Sequence, residues 1–406
     1  MASPISFSKF FTEGQYETQA EMLDVKQKSN KITIGIPKET ILDERRVSLV
    51  PNSIRTIVGY GHRVIVEPGA GLMANYTDHD YSEAGAEIAV NQAEVYKCNV
   101  IVKIAPPSLE EVELMANDVV LISPLHLPML TREYFIKLKE KRITALAMEY
   151  LKSEDGSFPI VRIMSEMAGM CAMHTAAEYL AHNRGGRGIL LGGVSGVPPA
   201  KVVILGAGVV GEFATKAALG LGASVRIFDN DISKIMRLQT VVGRQLHTSS
   251  INPVYLAYQL LSADAVIGAM HSTHGRTPVI ITEEMVSNMK DGSVIIDVSI
   301  DQGGCIETSE VTTHEKPTFI KHGVIHYCVP NIASKVSRTA SMAVSNIITP
   351  LLIKAGSSLN IESLVYKSAG IRHGVYTYKG CHTNEYICKR FDLKHTSLDL
   401  LLTSKL

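Results

Sequence analysis

Gly206, Gly208 and Gly211 stand in the spacing G-x-G-x-x-G, the pattern of a backbone that turns tightly and lets phosphates come close. The apolar run 202–205 precedes them and reads as a buried parallel strand. A helical pattern follows to about Leu221, then a second apolar strand, 224–228, that ends at Asp229. Strand, glycine turn, helix, strand and acid in that order form the context in which the motif binds a dinucleotide rather than serving as an ordinary turn. Gly206 suits the tight turn, Gly208 the approach of a pyrophosphate, and Gly211 the packing of helix on strand. The helix start offers free N–H groups and a positive dipole end to the phosphates. Asp229 can accept from a ribose 2′-hydroxyl and would repel a 2′-phosphate, so NAD is expected over NADP.

A second set of residues sits where α/β proteins put chemistry, just beyond the carboxyl ends of strands. Arg46 follows the expected strand 31–36, His126 follows 119–122, Asp301 follows 294–297, and Asn331 follows 324–329. A guanidinium suits a small carboxylate bidentately. A histidine moves protons near neutrality. A carboxylate can orient a water or steady a developing ammonium. Together they suit hydride chemistry on an amino or hydroxy acid. The alternatives are a solvated loop charge for Arg46, a satisfied loop histidine for His126, and simple turn formation by Asp301 and Asn331. His271 and His274 have no ligand partners by spacing and are read as structural.

The elements that must position these residues alternate strand and helix. Residues 31–150 read as an α/β unit of their own without a glycine motif. The Ala- and Met-rich run 165–180 reads as a long crossing helix, and the glycine-rich stretch 185–199 leads into the nucleotide-binding unit. Residues 336–352 read as a second long helix running back, followed by a mixed tail. The expected fold is α/β, with two Rossmann-like doubly wound domains and a cleft between them. The expected division is a polar extension 1–30, a substrate domain 31–163, an NAD-binding domain 164–335, and a return helix with the rest of the substrate domain in 336–406.

Composition narrows the function classes. Among 406 residues, 46% are hydrophobic, and Lys plus Arg equals Asp plus Glu at 40 each. That balance gives no electrostatic case for nucleic acid. The six cysteines are scattered, with no C-x-x-C pair or His/Cys cluster, so no metal site is expected. No apolar stretch is read as reaching transmembrane length, residues 1–30 carry no signal-type segment, and a cytoplasmic location is expected.

Several segments then carry a resemblance. Gly35-Ile36-Pro37-Lys38-Glu39 with Arg46-Val47, Pro68-Gly69-Ala70-Gly71, Met164-Ser165-Glu166-Met167-Ala168-Gly169, the run 185–197, the glycine motif and the run 300–305 resemble the alanine dehydrogenase and transhydrogenase α-subunit family. The likeness runs from about Lys31 to the end. The form of 164–169, and Asp301 where transhydrogenases tend to carry Glu, resemble the dehydrogenase branch. The resemblance implies that Arg46 clamps a substrate carboxylate and His126 is the acid/base. Asp301 assists the water and ammonia steps. Ser165 contacts the cofactor pyrophosphate, Asp229 the adenosine ribose, and Asn331 the nicotinamide side. It implies oxidative deamination of L-alanine to pyruvate and ammonia by a homo-oligomer, with a hexamer expected.

One position departs from the family. Its strand near Val100 usually ends Lys-x-Lys-Glu-Pro, and here the chain reads Lys103-Ile104-Ala105-Pro106-Pro107. Ala105 replaces a lysine that, in the family, binds the substrate carboxylate. Lys103 lies two residues back, on the same face of an extended strand and about 6.6–6.8 Å further from its end; it is carried as a substrate-binding candidate. The departure means either a pocket rebuilt for another substrate or weak alanine turnover. It keeps open a transhydrogenase α-subunit-like module that passes hydride to a partner's NADP, and a non-catalytic NAD-binding sensor.

Overall fold

The computed structural model describes residues 31–403 except 273–274 and 358–360. The expectations for residues 1–30 and for His274 lie outside the described residues.

The first sheet holds β1 (Thr33–Ile36), β2 (Arg63–Val66), β3 (Glu87–Ile88), β4 (Val100–Val102), β5 (Val120–Ser123) and β6 (Thr144–Ala147). The second holds β7 (Lys201–Leu205), β8 (Ser224–Phe228), β9 (His247–Ser249), β10 (Ala265–Gly268), β11 (Val294–Asp297), β12 (Thr318–Lys321) and β13 (Val324–Tyr327). The chain then returns, and β14 (Val375–Tyr378) and β15 (Cys381–His382) complete the first sheet. The orders are β15-β14-β6-β5-β4-β1-β2-β3 and β12-β13-β11-β10-β7-β8-β9. Each sheet therefore has six parallel strands wound outward from its middle, with antiparallel strands at one edge. The winding reverses between β1 and β4 and between β7 and β10, and such reversals open a crevice beyond the strand ends.

The sequence explains why the strands are parallel and central. β10, β11 and β13 are buried at every position, and continuous apolar runs are what sheets covered on both faces require. Each sheet has a core on either face, one pair built around Ile34 and Leu121 and the other around Val202 and Val203.

Two long helices join the halves. The crossing helix spans Pro159–Leu180, starting six residues before the expected 165. Pro159 occupies its first turn, where a missing N–H costs nothing. Gly169 brings it onto the helix Val209–Gly220 backbone to backbone: a Cβ there would lie 2.3 Å from the Val210 carbonyl oxygen. The return helix spans Ser337–Ser357. The helical run Ile332–Gly356 is 25 residues long and apolar enough to cross a membrane by length and composition. This corrects the expectation that no stretch reaches that length. Here Val344, Ile348, Leu352 and Ala355 of this run belong to the core of the first sheet.

Candidate functional site

The charged loop 38–47 acquires its shape from serines on and just before the return helix. The Arg45 N–H donates to Ser334 Oγ at 3.2 Å, Val47 N–H to Ser341 Oγ at 2.9 Å, and Val50 N–H to Ser345 Oγ at 3.1 Å. Ser334 Oγ in turn donates to the Asp43 carbonyl at 3.0 Å. The loop is thus clamped to a segment nearly three hundred residues later in the chain, and Arg46 lines the cleft. Its Nε donates to Glu44 Oε1 at 2.7 Å and its Nη2 to Glu44 Oε2 at 2.6 Å. Its Nη1 faces Met164 Sδ at 3.2 Å.

His126 begins a short turn after β5 with φ +34°, ψ +62°, a left-handed backbone that is uncommon for a side-chain-bearing residue. Glu149, just beyond β6, braces this turn: its Oε1 accepts the Leu125 N–H at 2.7 Å. Burial raises the Glu149 carboxyl, and the N–H groups of Leu125 and His126 pull it back. Its Oε2 is buried with no hydrogen-bond partner.

Asp301 lies in the short turn that follows β11, and its Oδ1 accepts the Asn331 N–H at 3.1 Å. Asn331 is itself left-handed, φ +52°, and its Nδ2 donates to Glu44 Oε2 at 3.2 Å. A chain of contacts therefore crosses the cleft from Asp301 through Asn331 and Glu44 to Arg46. Asp301 opens to the cleft yet is crowded by its walls, which raises its carboxyl; the Asn331 N–H, His126 and Arg46 act the other way.

Two adjoining chambers result. One, of about 720 Å³, is lined by Arg46, Glu44, Ala105, His126, Glu149, Asp301 and Asn331 among others. The other, of about 550 Å³, is lined by Ser165, Gly208, Val209, Met270, His271 and Gln302, and shares Arg46, Glu149, Asp301 and Asn331 with the first.

The glycine turn leaves backbone open at the start of a helix. Gly206 has φ +104°, and a Cβ on Gly211 would lie 1.9 Å from the Gly206 carbonyl oxygen, so neither position tolerates a side chain. At Gly208 a Cβ would meet nothing within 4 Å: the protein leaves that space open at the start of a 12-residue helix. Asp229 follows β8 directly, with Oδ2 accepting from the Ala207 N–H at 2.7 Å and Oδ1 from the Asp231 N–H at 2.8 Å. Each carboxylate oxygen keeps a second lone pair for a hydroxyl.

Lys103 does not join this set. It is 1% exposed, and its Nζ pairs with Glu111 at 2.9 Å and Glu39 at 3.4 Å. β4 ends at Val102, so the strand alternation expected to put residues 103 and 105 on one face has already stopped. Ala105 faces the larger chamber; Lys103 turns into the protein. Burial pushes the Glu39 carboxyl up to about 7, against the pull of Lys103 and the Ile104 N–H. A carboxyl raised on folding lends its full stability below its unfolded value near 4.5 and loses it as pH rises through about 7. Glu39→Gln is therefore expected to gain in melting temperature relative to the wild type on going from pH 5 to pH 8. Thermal denaturation at the two pH values checks this; an equal effect at both would remove the titration.

His271, read as structural, lines the smaller chamber. Glu44 and Glu149 were not singled out in sequence. Glu149 obeys the strand-end rule that selected the other four residues. Glu44 lies two residues from Arg46 in a run where charges of both signs alternate.

Two doubly wound halves facing a cleft, a glycine turn and a carboxylate on one wall and an arginine and a histidine on the other, define a nicotinamide-dependent oxidoreductase acting on a small molecule. The chain belongs to the alanine dehydrogenase/PNT family: the model of the family's N-terminal domain matches residues 35–168 and that of its C-terminal domain residues 172–385. Alanine dehydrogenase 2 of Staphylococcus aureus is 39% identical over 369 residues, covering 90% of this chain and 98% of that protein. A solved L-alanine dehydrogenase matches with a TM-score of 0.84 at 37% identity, over 89% of this chain and 99% of the other. A transhydrogenase from Sinorhizobium meliloti matches with a TM-score of 0.75 at 25% identity, over 87% of this chain and 99% of its own. These relatives make the protein an enzyme of the amino-acid dehydrogenase type.

Proposed function

We propose that the protein catalyses the reversible, NAD-dependent oxidative deamination of L-alanine to pyruvate and ammonia. The observation that carries this reading is the meeting of Arg46, His126 and Asp301 in one chamber that opens onto the glycine turn. When bound, the cofactor supplies the hydride acceptor for the Cα–H of the amino acid.

The protein's own groups do the rest. Arg46 holds the substrate carboxylate and so fixes which face of Cα meets the cofactor chamber. His126 takes the proton lost as the amine becomes an imine and water adds to it. Asp301, held by the Asn331 N–H, orients that water and steadies the departing ammonium. Ser165 and the open face of Gly208 receive the pyrophosphate, and Asn331 also borders the nicotinamide side. Lys103 leaves the substrate set, its charge being spent on Glu111 and Glu39. The working division is a substrate part in 31–163 and 336–406 and a cofactor part in 164–335. The scattered cysteines fit a cytoplasmic location, and the family resemblance suggests a homo-oligomer, a hexamer.

Asp229 is assigned to the adenosine ribose, which makes NAD the cofactor. Asp229→Ser is expected to weaken NADH by roughly one to two decades, the worth of a charge-assisted hydrogen bond of about 1.5–3 kcal/mol, and NADPH far less. Fluorescence titration of both cofactors checks it. An equal loss for the two would make Asp229 only a prop for the Ala207 and Asp231 N–H groups.

A second reading rests on Ala105: without a lysine there, the same cleft could pass hydride between nicotinamides with no amino-acid step, as a transhydrogenase module does. Turnover of pyruvate with ammonium and NADH separates the two.

A further inference from the structure

Arg46 is not free to receive a substrate. Glu44 takes its Nε and Nη2 together, at 2.7 and 2.6 Å, and accepts the Arg46 main-chain N–H as well, at 3.0 Å. The Arg46 side chain is 12% exposed and that of Glu44 6%, so this is an enclosed bidentate pair rather than a passing surface contact. The surrounding charge sharpens the point. Among the described residues lining the larger chamber, Arg46 is the one Lys or Arg, whereas Asp43, Glu44, Glu149 and Asp301 all bring carboxyl groups. Ala105 supplies no second cation. A carboxylate entering here meets a guanidinium edge already taken by another carboxylate.

We propose that Glu44 is a specificity-determining residue: it competes with the substrate carboxylate for Arg46, and a carboxylate substrate binds by displacing it. Asn331 makes the exchange feasible. Its Nδ2 donates to Glu44 Oε2 at 3.2 Å, so Glu44 keeps a donor when it lets Arg46 go and is not left bare in the cleft. The affinity for an oxo acid is then a difference between two carboxylates bound to one guanidinium, which makes the chamber selective against weakly held acids.

This rests on the reading above only in taking Arg46 as the carboxylate contact. The test is Glu44→Gln, a change that keeps shape and removes charge. Oxamate, a carboxylate analogue of pyruvate, and pyruvamide, its uncharged counterpart, are titrated into the NADH complexes of both forms, and NADH binding itself reports that the variant is folded. Oxamate is expected to bind about tenfold tighter to the variant, the scale of one charge-assisted contact released, with pyruvamide unchanged and the KM for pyruvate falling more than kcat changes. Equal or weaker oxamate binding, no oxamate binding by either form, or tightening of both analogues overturns the proposal. Oxamate tightening in an enzyme that turns over no oxo acid with ammonium would instead overturn the activity and leave the role of Glu44 standing.

Discussion

Replacing Ala105 by lysine is expected to raise kcat/KM for pyruvate in the presence of ammonium by one to two decades. Ala105 lines the larger chamber with Arg46, His126 and Asp301, and a methyl group offers neither charge nor donor. A lysine there adds one charge-assisted hydrogen bond to an enclosed carboxylate, about 1.5–3 kcal/mol, which converts to roughly that change in rate. It would also give Glu44 a second cation and loosen its hold on Arg46. Among the described residues lining the chamber there is no lysine to perform this duty, and Lys103 is committed to Glu111 and Glu39. A chamber of about 720 Å³ has room for the longer side chain. Initial rates over a pyruvate series decide the matter: an unchanged kcat/KM would mean that the carboxylate does not pass near position 105.

The second large effect falls on His126. Changing it to alanine is expected to lower turnover by about 10²–10⁴, the usual worth of a positioned acid/base, with NADH affinity unchanged. The separation follows from position. His126 lines the larger chamber and is not among the residues around the glycine turn. Single-turnover rates beside a fluorescence titration of NADH measure both quantities. Normal turnover in the variant would give the acid/base role to another group, and the buried Glu149 carboxyl that braces the His126 turn is the first candidate.

Much of this was legible in the sequence because the signals are local. The glycine spacing, its flanking strands and Asp229 form one continuous stretch, and each glycine has a geometric reason in the structure: a left-handed turn at Gly206, open space at Gly208, and contact with the Gly206 carbonyl at Gly211. The strand-end rule found Arg46, His126, Asp301 and Asn331, which come together although they lie in four separate parts of the chain. What escaped depends on where strands stop and on what distant segments do. Lys103 and Ala105 share a face only if β4 continues, and it ends at Val102. Glu44 pairs with Arg46 within a loop whose shape is set by Ser334, Ser341 and Ser345, nearly three hundred residues away. The tail read as mixed because β14 and β15 are short antiparallel additions to an edge; the pairing of β14 with β6 and of β15 with β14 leaves little periodic signal.

The central claim is that this cleft performs amino-acid chemistry, and NADH oxidation by the wild-type protein with pyruvate and ammonium, with L-alanine quantified as product, tests it most directly. The account predicts ammonium-dependent NADH loss matched one to one by L-alanine. NADH that binds normally but is not consumed with pyruvate or any other oxo acid, with or without ammonium, would contradict it.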